Sequence, residues 1–184
     1  MARPQSLDDD MLIERLSLVF REVGYTGASL GMLADAAGLQ KASLYHRFPG
    51  GKQQMAGQVL DTALDWFAEN VLRPLEREGD PRERLFEALL GIDGFYAGGA
   101  RACLLNVFGA DEGPFTLRIK DALNALIAAF AKLAADAGQP AERAGRSAER
   151  AATMLQGSLV LSRGLGTQTP FRNMLLELPR ELLK

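Results

Sequence analysis

The 184-residue sequence holds one cysteine and one histidine. The single Cys103 excludes a disulfide within the chain and fits a reducing compartment. His46 and Cys103 lie far apart, and no cluster of histidine, cysteine and carboxylate joins them. Neither a metal site nor a nucleophilic catalytic site is therefore expected, and no cofactor and no enzyme activity are read from the chain. A strong excess of either charge sign is also missing. The formal net charge is −2, so any affinity for nucleic acid must come from a local patch. No apolar run is long enough to span a bilayer: Ala122 to Ala135 is the longest, and Asn124 and Lys132 interrupt it. No cationic-then-apolar leader opens the chain, and a cytoplasmic protein without membrane contact is the expectation.

Strand-like alternation is missing as well, whereas apolar residues recur at helical spacing nearly throughout. Leu12, Ile13, Leu16, Val19, Phe20 and Val23 mark a first helix, with Ser6 and Asp9 placed as a capping box and Gly24 as the stop. A second begins at Ser29, a good N-cap, and ends at Gly38. A third runs from about Lys41 to Phe48 before Pro49. A long fourth runs from Lys52 to about Arg77. Further helices are expected at 82–97, 101–108, 114–137, 140–164 and 171–183, between glycine and proline breakers. The fold class is all-α with nine helices. A three-helix part spans 1–50, and a larger helical part spans 51–184.

Residues 29–52 carry the function. In residues 1–52, Arg3, Arg15, Arg21, Lys41, Arg47 and Lys52 balance Asp8, Asp9, Asp10, Glu14, Glu22 and Asp35, with acid in front and base behind. Gln40 to Lys52 contains no acidic side chain. On a wheel of about 100° per residue, Leu44 and Phe48 share the inner face, and Ala42, Ser43 and His46 point outward with Tyr45 beside them. Small and polar residues on the outer face let a helix approach a groove floor, where Ser43 and His46 reach base edges or phosphates and Tyr45 a phosphate. Lys52 with the first turn of the fourth helix, and Ser29 at the second, offer anion sites. Spacing alone also fits a small subdomain whose Lys41 and Arg47 are ordinary surface charges.

Tyr25 to Leu30, then Leu33-Ala34-Asp35-Ala36-Ala37-Gly38-Leu39-Gln40-Lys41-Ala42-Ser43-Leu44-Tyr45-His46-Arg47-Phe48, closely resemble the TetR family of bacterial transcriptional regulators. Phe48-Pro49-Gly50-Gly51-Lys52 looks like its LmrA/YxaF-like subgroup, while Ala42 departs from the glycine or proline frequent there. The resemblance covers about the first third of the chain. It implies a homodimer on double-stranded operator DNA, contacted by Ser29, Lys41, Ala42, Ser43, Tyr45, His46 and Lys52. It also implies a small-molecule effector in the C-terminal part, a repressor most simply. The operator, the effector and the sign of regulation are not written in the sequence.

In that C-terminal part, Gly91, Gly94 and Gly98 lie on one helix face, where missing side chains mean either close packing or a cavity. Trp66, Phe67, Phe86, Phe95, Tyr96, Phe108, Phe115 and Phe130 supply aromatic surface for an apolar or planar ligand, or plain core. The candidate ligand contacts are Trp66, Phe67, Asn70, Phe95, Cys103, Asn106, Phe130 and Gln156, with the three amides as polar hooks. Cys103 stands where the subgroup often has Gly-Cys-Leu or Gly-Cys-Pro. Its readings are a buried small hydrophobe, a ligand contact or a redox thiol, the last disfavoured by the lack of a resolving partner. The eighth helix is apolar nearly all round and the ninth amphipathic; the resemblance implies an intersubunit bundle using Ala152, Leu155, Leu159, Phe171 and Leu175, and the alternative is burial inside one subunit. A helical enzyme using Cys103, and a carrier or structural dimer that has lost DNA binding, are the rival readings.

Overall fold

A computed structural model describes residues 8–109 and 113–183, and among these residues the chain forms nine helices and no strand. They are α1 Asp9–Gly27, α2 Leu30–Ala37, α3 Lys41–Arg47, α4, α5 Pro81–Phe95, α6 Leu104–Phe108, α7 Thr116–Asp136, α8 Ala141–Leu165 and α9 Thr169–Leu182. The fourth starts as Gly51–Phe67 and runs on through a wider π-type turn, Ala68–Leu72, into Arg73–Glu76. Glycine sets the ends of the first two helices. Gly24, at φ 73° and ψ 178°, breaks α1 before its last residues, and Gly38 closes α2 in the left-handed region. Ser6 of the expected capping box lies outside the described residues; Asp8 is the N-cap and makes no side-chain cap hydrogen bond.

Two apolar cores result. The first gathers Leu12, Leu16 and Phe20 of α1, Leu33 of α2, Leu44 of α3, and Met55, Val59 and Leu60 of α4. Leu104 and Phe108 of α6 and Ile119 of α7 complete it, so its packing continues past residue 50. Phe108 is its hub, in edge contact with Phe20 and Tyr25 and stacked on Phe115. The second core joins Val71 and Leu75 of α4 to α5, α7, α8 and α9. Each fully buried Leu or Phe contributes about 1.5–3 kcal/mol.

The glycine trio divides into three different roles. A Cβ at Gly91 would stand 2.3 Å from the Asn70 carbonyl oxygen, so α5 packs directly onto the π turn of α4. Gly94 faces open space. Gly98 lies beyond the helix, in a turn at φ 66°. That turn, which includes Ala97, Gly98 and Gly99 at positive φ, is why α6 begins at Leu104 instead of 101. Phe86 points to solvent, and Phe108 and Phe115 belong to the first core, so these three leave the expected aromatic set around α5.

An ion pair between a buried arginine and a partly exposed aspartate ties α5 to α7. The Arg84 guanidinium, 2% exposed, donates to Asp136 Oδ2 at 2.7 Å and to the Leu75 carbonyl. Hydrogen bonds from Lys132 and then Arg84 hold the Asp136 carboxyl below its usual pKa.

Two predictions follow from this packing. Gly91→Ala should cost about 1–3 kcal/mol by overpacking, whereas Gly94→Ala should be neutral or gain up to about 1 kcal/mol from helix propensity; urea unfolding of both variants measures the contrast. Asp136→Asn should destabilise the protein by about 1 kcal/mol or less at pH 7, since solvent screens the partly exposed carboxylate. A carboxyl with a depressed folded pKa stabilises above its unfolded value near 4 and loses that contribution as pH falls through the folded value. The gap between wild type and Asp136→Asn should therefore close below about pH 4 in a pH series of thermal melts.

Candidate functional site

The helix pair α2–α3 presents the face that the wheel describes. Leu44 and Phe48 are buried at 1% and 2% exposure, while Lys41, Ala42, Ser43, Tyr45 and His46 are exposed. The Ser29 hydroxyl accepts from the Met32 N–H at 3.2 Å and so caps α2, remaining at the surface. Lys52 is half-buried. Its ammonium sits 4.7 Å from the Tyr25 ring centroid and donates to the Thr26 carbonyl at 3.4 Å, a placement that fixes one cation at the start of α4 beside α3. Sequence spacing missed one partner here. Arg47, in the acid-free stretch, pairs with Asp9 of α1, so the acidic first turn of α1 reaches the basic end of α3.

Two arginines that the sequence reading did not single out join this head to the rest. Arg21, buried on α1, donates to the Ala102 carbonyl and to Ser17 Oγ at 3.2 Å, and lies 5.1 Å from the Phe95 ring centroid. Burial pushes its guanidinium down from its ordinary pKa. Arg163 of α8 donates to the Arg21 and Glu22 carbonyls at 3.1 and 2.6 Å. Both carbonyls lie just before the break at Gly24, where a helix end needs outside donors, and Arg163 supplies such bonds. That need was the available signal.

Of the eight candidate ligand contacts, Phe67, Phe95, Cys103 and Gln156 line one hollow of about 30 Å³ between α4, the end of α5, α6, α7 and α8. Its wall is otherwise apolar apart from Tyr96. The Tyr96 hydroxyl donates to Cys103 Sγ at 3.4 Å, and burial, then the adjoining Cys103, pushes the phenol well above its ordinary pKa. Both amide atoms of Gln156 are buried without a hydrogen-bond partner. The other four candidates lie elsewhere. Asn70 is exposed and donates to the Trp66 carbonyl of its own helix. Trp66 is 41% exposed, stacked on the outside of Phe95. Phe130 is wholly buried in the second core. Asn106 faces a separate groove with Val160 and Arg163. Helical spacing brought these residues near the hollow, but their wheel positions turn them away.

The expected dimer residues lie mostly inside the protomer. Ala152, Leu155, Leu159 and Phe171 are buried within their own protomer, Leu155 and Phe171 at 0% exposure, and Leu175 packs against the same core. The first four have almost no surface left to give to a partner, whereas Leu175 is only partly buried. The outward faces of the same helices instead carry Val160, Leu161 and Leu165 of α8 and Leu176 of α9, each more than half exposed. Among the described residues no helix is long and apolar enough to cross a membrane, and no three potential ligands gather as a metal site.

The helix-turn-helix geometry agrees with comparison to known proteins. The sequence pattern described as bacterial regulatory proteins, tetR family, matches residues 15–59, from α1 through the first half of α4. Over this segment the chain resembles the TetR family. It is 32% identical over 84 residues to the HTH-type transcriptional repressor KstR2 of Mycolicibacterium smegmatis, covering 46% of this chain and 40% of that protein. It is 28% identical over 74 residues to the HTH-type transcriptional regulator LmrA of Bacillus subtilis, covering 40% of this chain and 39% of that one. The chain thus spans about two fifths of the length of these curated relatives. Their names are those of regulators, not enzymes. The TetR-like fold extends much further. A TetR regulator of Legionella pneumophila superimposes with TM-score 0.81 over 98% of this chain and all of that one, at 19% identity. A cysteine mutant of the TetR-family regulator CifR, determined with double-stranded operator DNA, superimposes with TM-score 0.73 over 98% of both chains at 25% identity.

The buried Cys103 gives the chain a direct test. Its thiol should react with a disulfide reagent on the order of a hundredfold more slowly in the native protein than in urea, because reaction waits for local opening. Absorbance at the released thiolate follows both rates.

Proposed function

We propose that the protein is a cytoplasmic, homodimeric, DNA-binding repressor that leaves its operator when an apolar or aromatic small molecule enters its C-terminal part. Residues 1–50 form the DNA-binding domain, and residues 51–184 the effector and dimerisation domain. The observation that carries this reading is the acid-free outer face of α3, exposed at Lys41, Ala42, Ser43, Tyr45 and His46 and held by the buried Leu44 and Phe48. Ala42 and Ser43 allow close approach to the major-groove floor, and His46 and Ser43 reach base edges there. Lys41, Tyr45, Lys52 and Ser29 hold phosphates on either side. The name of KstR2 supports the repressor sign, and the operator DNA beside CifR supports the partner.

Two copies meet through Val160, Leu161, Leu165 and Leu176, so that two α3 helices address half-sites ~34–36 Å apart. An effector in the Phe67, Phe95 and Gln156 hollow presses on α4, whose N-terminal turn carries Lys52. A few ångströms of movement there changes the half-site spacing, and operator affinity falls.

A fluorescence anisotropy titration against the DNA upstream of the protein's own gene, run as a salt series, tests the reading. Tyr45→Ala should weaken binding by tenfold or more with the thermal melt unchanged, and Lys52→Ala should lower the salt slope by about one. Unchanged affinity in both variants overturns the assignment of this face, and wild-type binding without salt dependence overturns the regulator itself. The dimer has its own measurement. Leu161→Glu together with Leu176→Glu should give a folded monomer by light scattering, whereas Leu155→Ala should stay dimeric and lose about 2–5 kcal/mol of stability.

A further inference from the structure

We infer that the hollow between α4 and α8 takes an uncharged, largely apolar and flat molecule that carries one adjacent donor–acceptor pair, the edge of a lactam, and that Gln156 reads that edge. This rests on the effector reading above and names the class of ligand. The observation behind it is the state of the Gln156 amide. Oε1 and Nε2 are both buried, and neither has a hydrogen-bond partner. Buried polar groups are almost always paired, so an amide unpaired at both ends calls for a partner. Gln139 is the contrast within the same chain. Its Nε2 donates to the Glu181 and Leu182 carbonyls and caps α9, a structural task that Gln156 does not perform.

The surroundings narrow the chemistry. The polar hydrogen nearest at hand, on Tyr96, is directed to Cys103 Sγ. The wall contains no lysine, arginine, histidine, aspartate or glutamate. A carboxylate or an ammonium would be buried there without a counter-charge, which is strongly unfavourable. A plain hydrocarbon would leave both amide atoms unpaired. A single neutral donor and acceptor side by side satisfies Nε2 and Oε1 together, and Phe67 and Phe95 bring aromatic surface to the wall for a flat body. The hollow of about 30 Å³ holds roughly two waters and no such molecule as it stands. Occupancy must therefore displace wall side chains, of which Leu60, Leu64 and Phe67 belong to α4.

The test uses the full chain and three probes: 2-quinolone, N-methyl-2-quinolone, which lacks the donor, and 2-naphthoate, which is charged. Thermal shift and calorimetry should show 2-quinolone binding at least tenfold tighter than its N-methyl analogue, with 2-naphthoate not binding. Gln156→Leu should abolish the tenfold preference, and its unliganded melting temperature should equal or exceed that of wild type. Gln156→Met serves as a second variant with the same expectation. The inference is overturned if 2-quinolone does not bind, if the preference survives in both variants, or if both melt several degrees lower than wild type, which would make the amide a structural group. Operator anisotropy with 2-quinolone is read separately: Gln156-dependent binding without DNA release supports this ligand class and removes the effector role.

Discussion

One helix belongs to both cores, and the rest of the molecule is arranged around that fact. The first half of α4 places Met55, Val59 and Leu60 against the helix-turn-helix, and the second half places Val71 and Leu75 against α5, α7 and their neighbours. Because the helix is continuous from Gly51 to Glu76, neither core can shift along it independently. The Phe108 cluster and the Arg21 and Arg163 contacts add lateral ties between the same two regions. The head is thus braced at its own core, at the end of α1 and at the start of α4. Lys52 over Tyr25 joins the last two of these.

This bracing makes sense of where polar groups are placed. Arg21 is drawn into an apolar setting because the Ala102 carbonyl, Ser17 and the Phe95 ring replace its water. Arg163 completes a helix end that Gly24 has left open. In each case a cation on one element neutralises backbone dipoles on another, which gives the contact direction as well as energy. The hollow beside Phe95 lies next to this arrangement, and its wall is shared by α4.

Much of the head was legible in sequence because its determinants are local. Ser29, Gly38 and Pro49 mark helix ends, and the short spacing from Leu44 to Phe48 decides which side of α3 is buried. The C-terminal half was less legible. In α8 apolar residues occupy nearly every side, so periodicity could not say that Leu155 faces inward and Leu161 outward; only the positions of α7 and α9 decide it. Asn70 and Phe130 were displaced from the expected ligand set for a similar reason, since a wheel gives angles along one helix and not its rotation in the bundle. The Asp9–Arg47 pair joins residues 38 positions apart, which no local pattern encodes.

The π turn at Ala68–Leu72 has a meaning of its own. Such a turn holds one residue more than the α-helix that it interrupts. It works as a phase shifter: side chains before and after it are offset by roughly one residue's rotation, about 100°. That offset lets a single rod aim Leu60 at one core and Val71 at the other, and Gly91 on α5 accommodates the Asn70 carbonyl at the shifter itself. The alignment of head and body is therefore encoded in a count of residues as much as in their identity. A length change of one residue in this segment would turn the whole head about the axis of α4, with no substitution in either core.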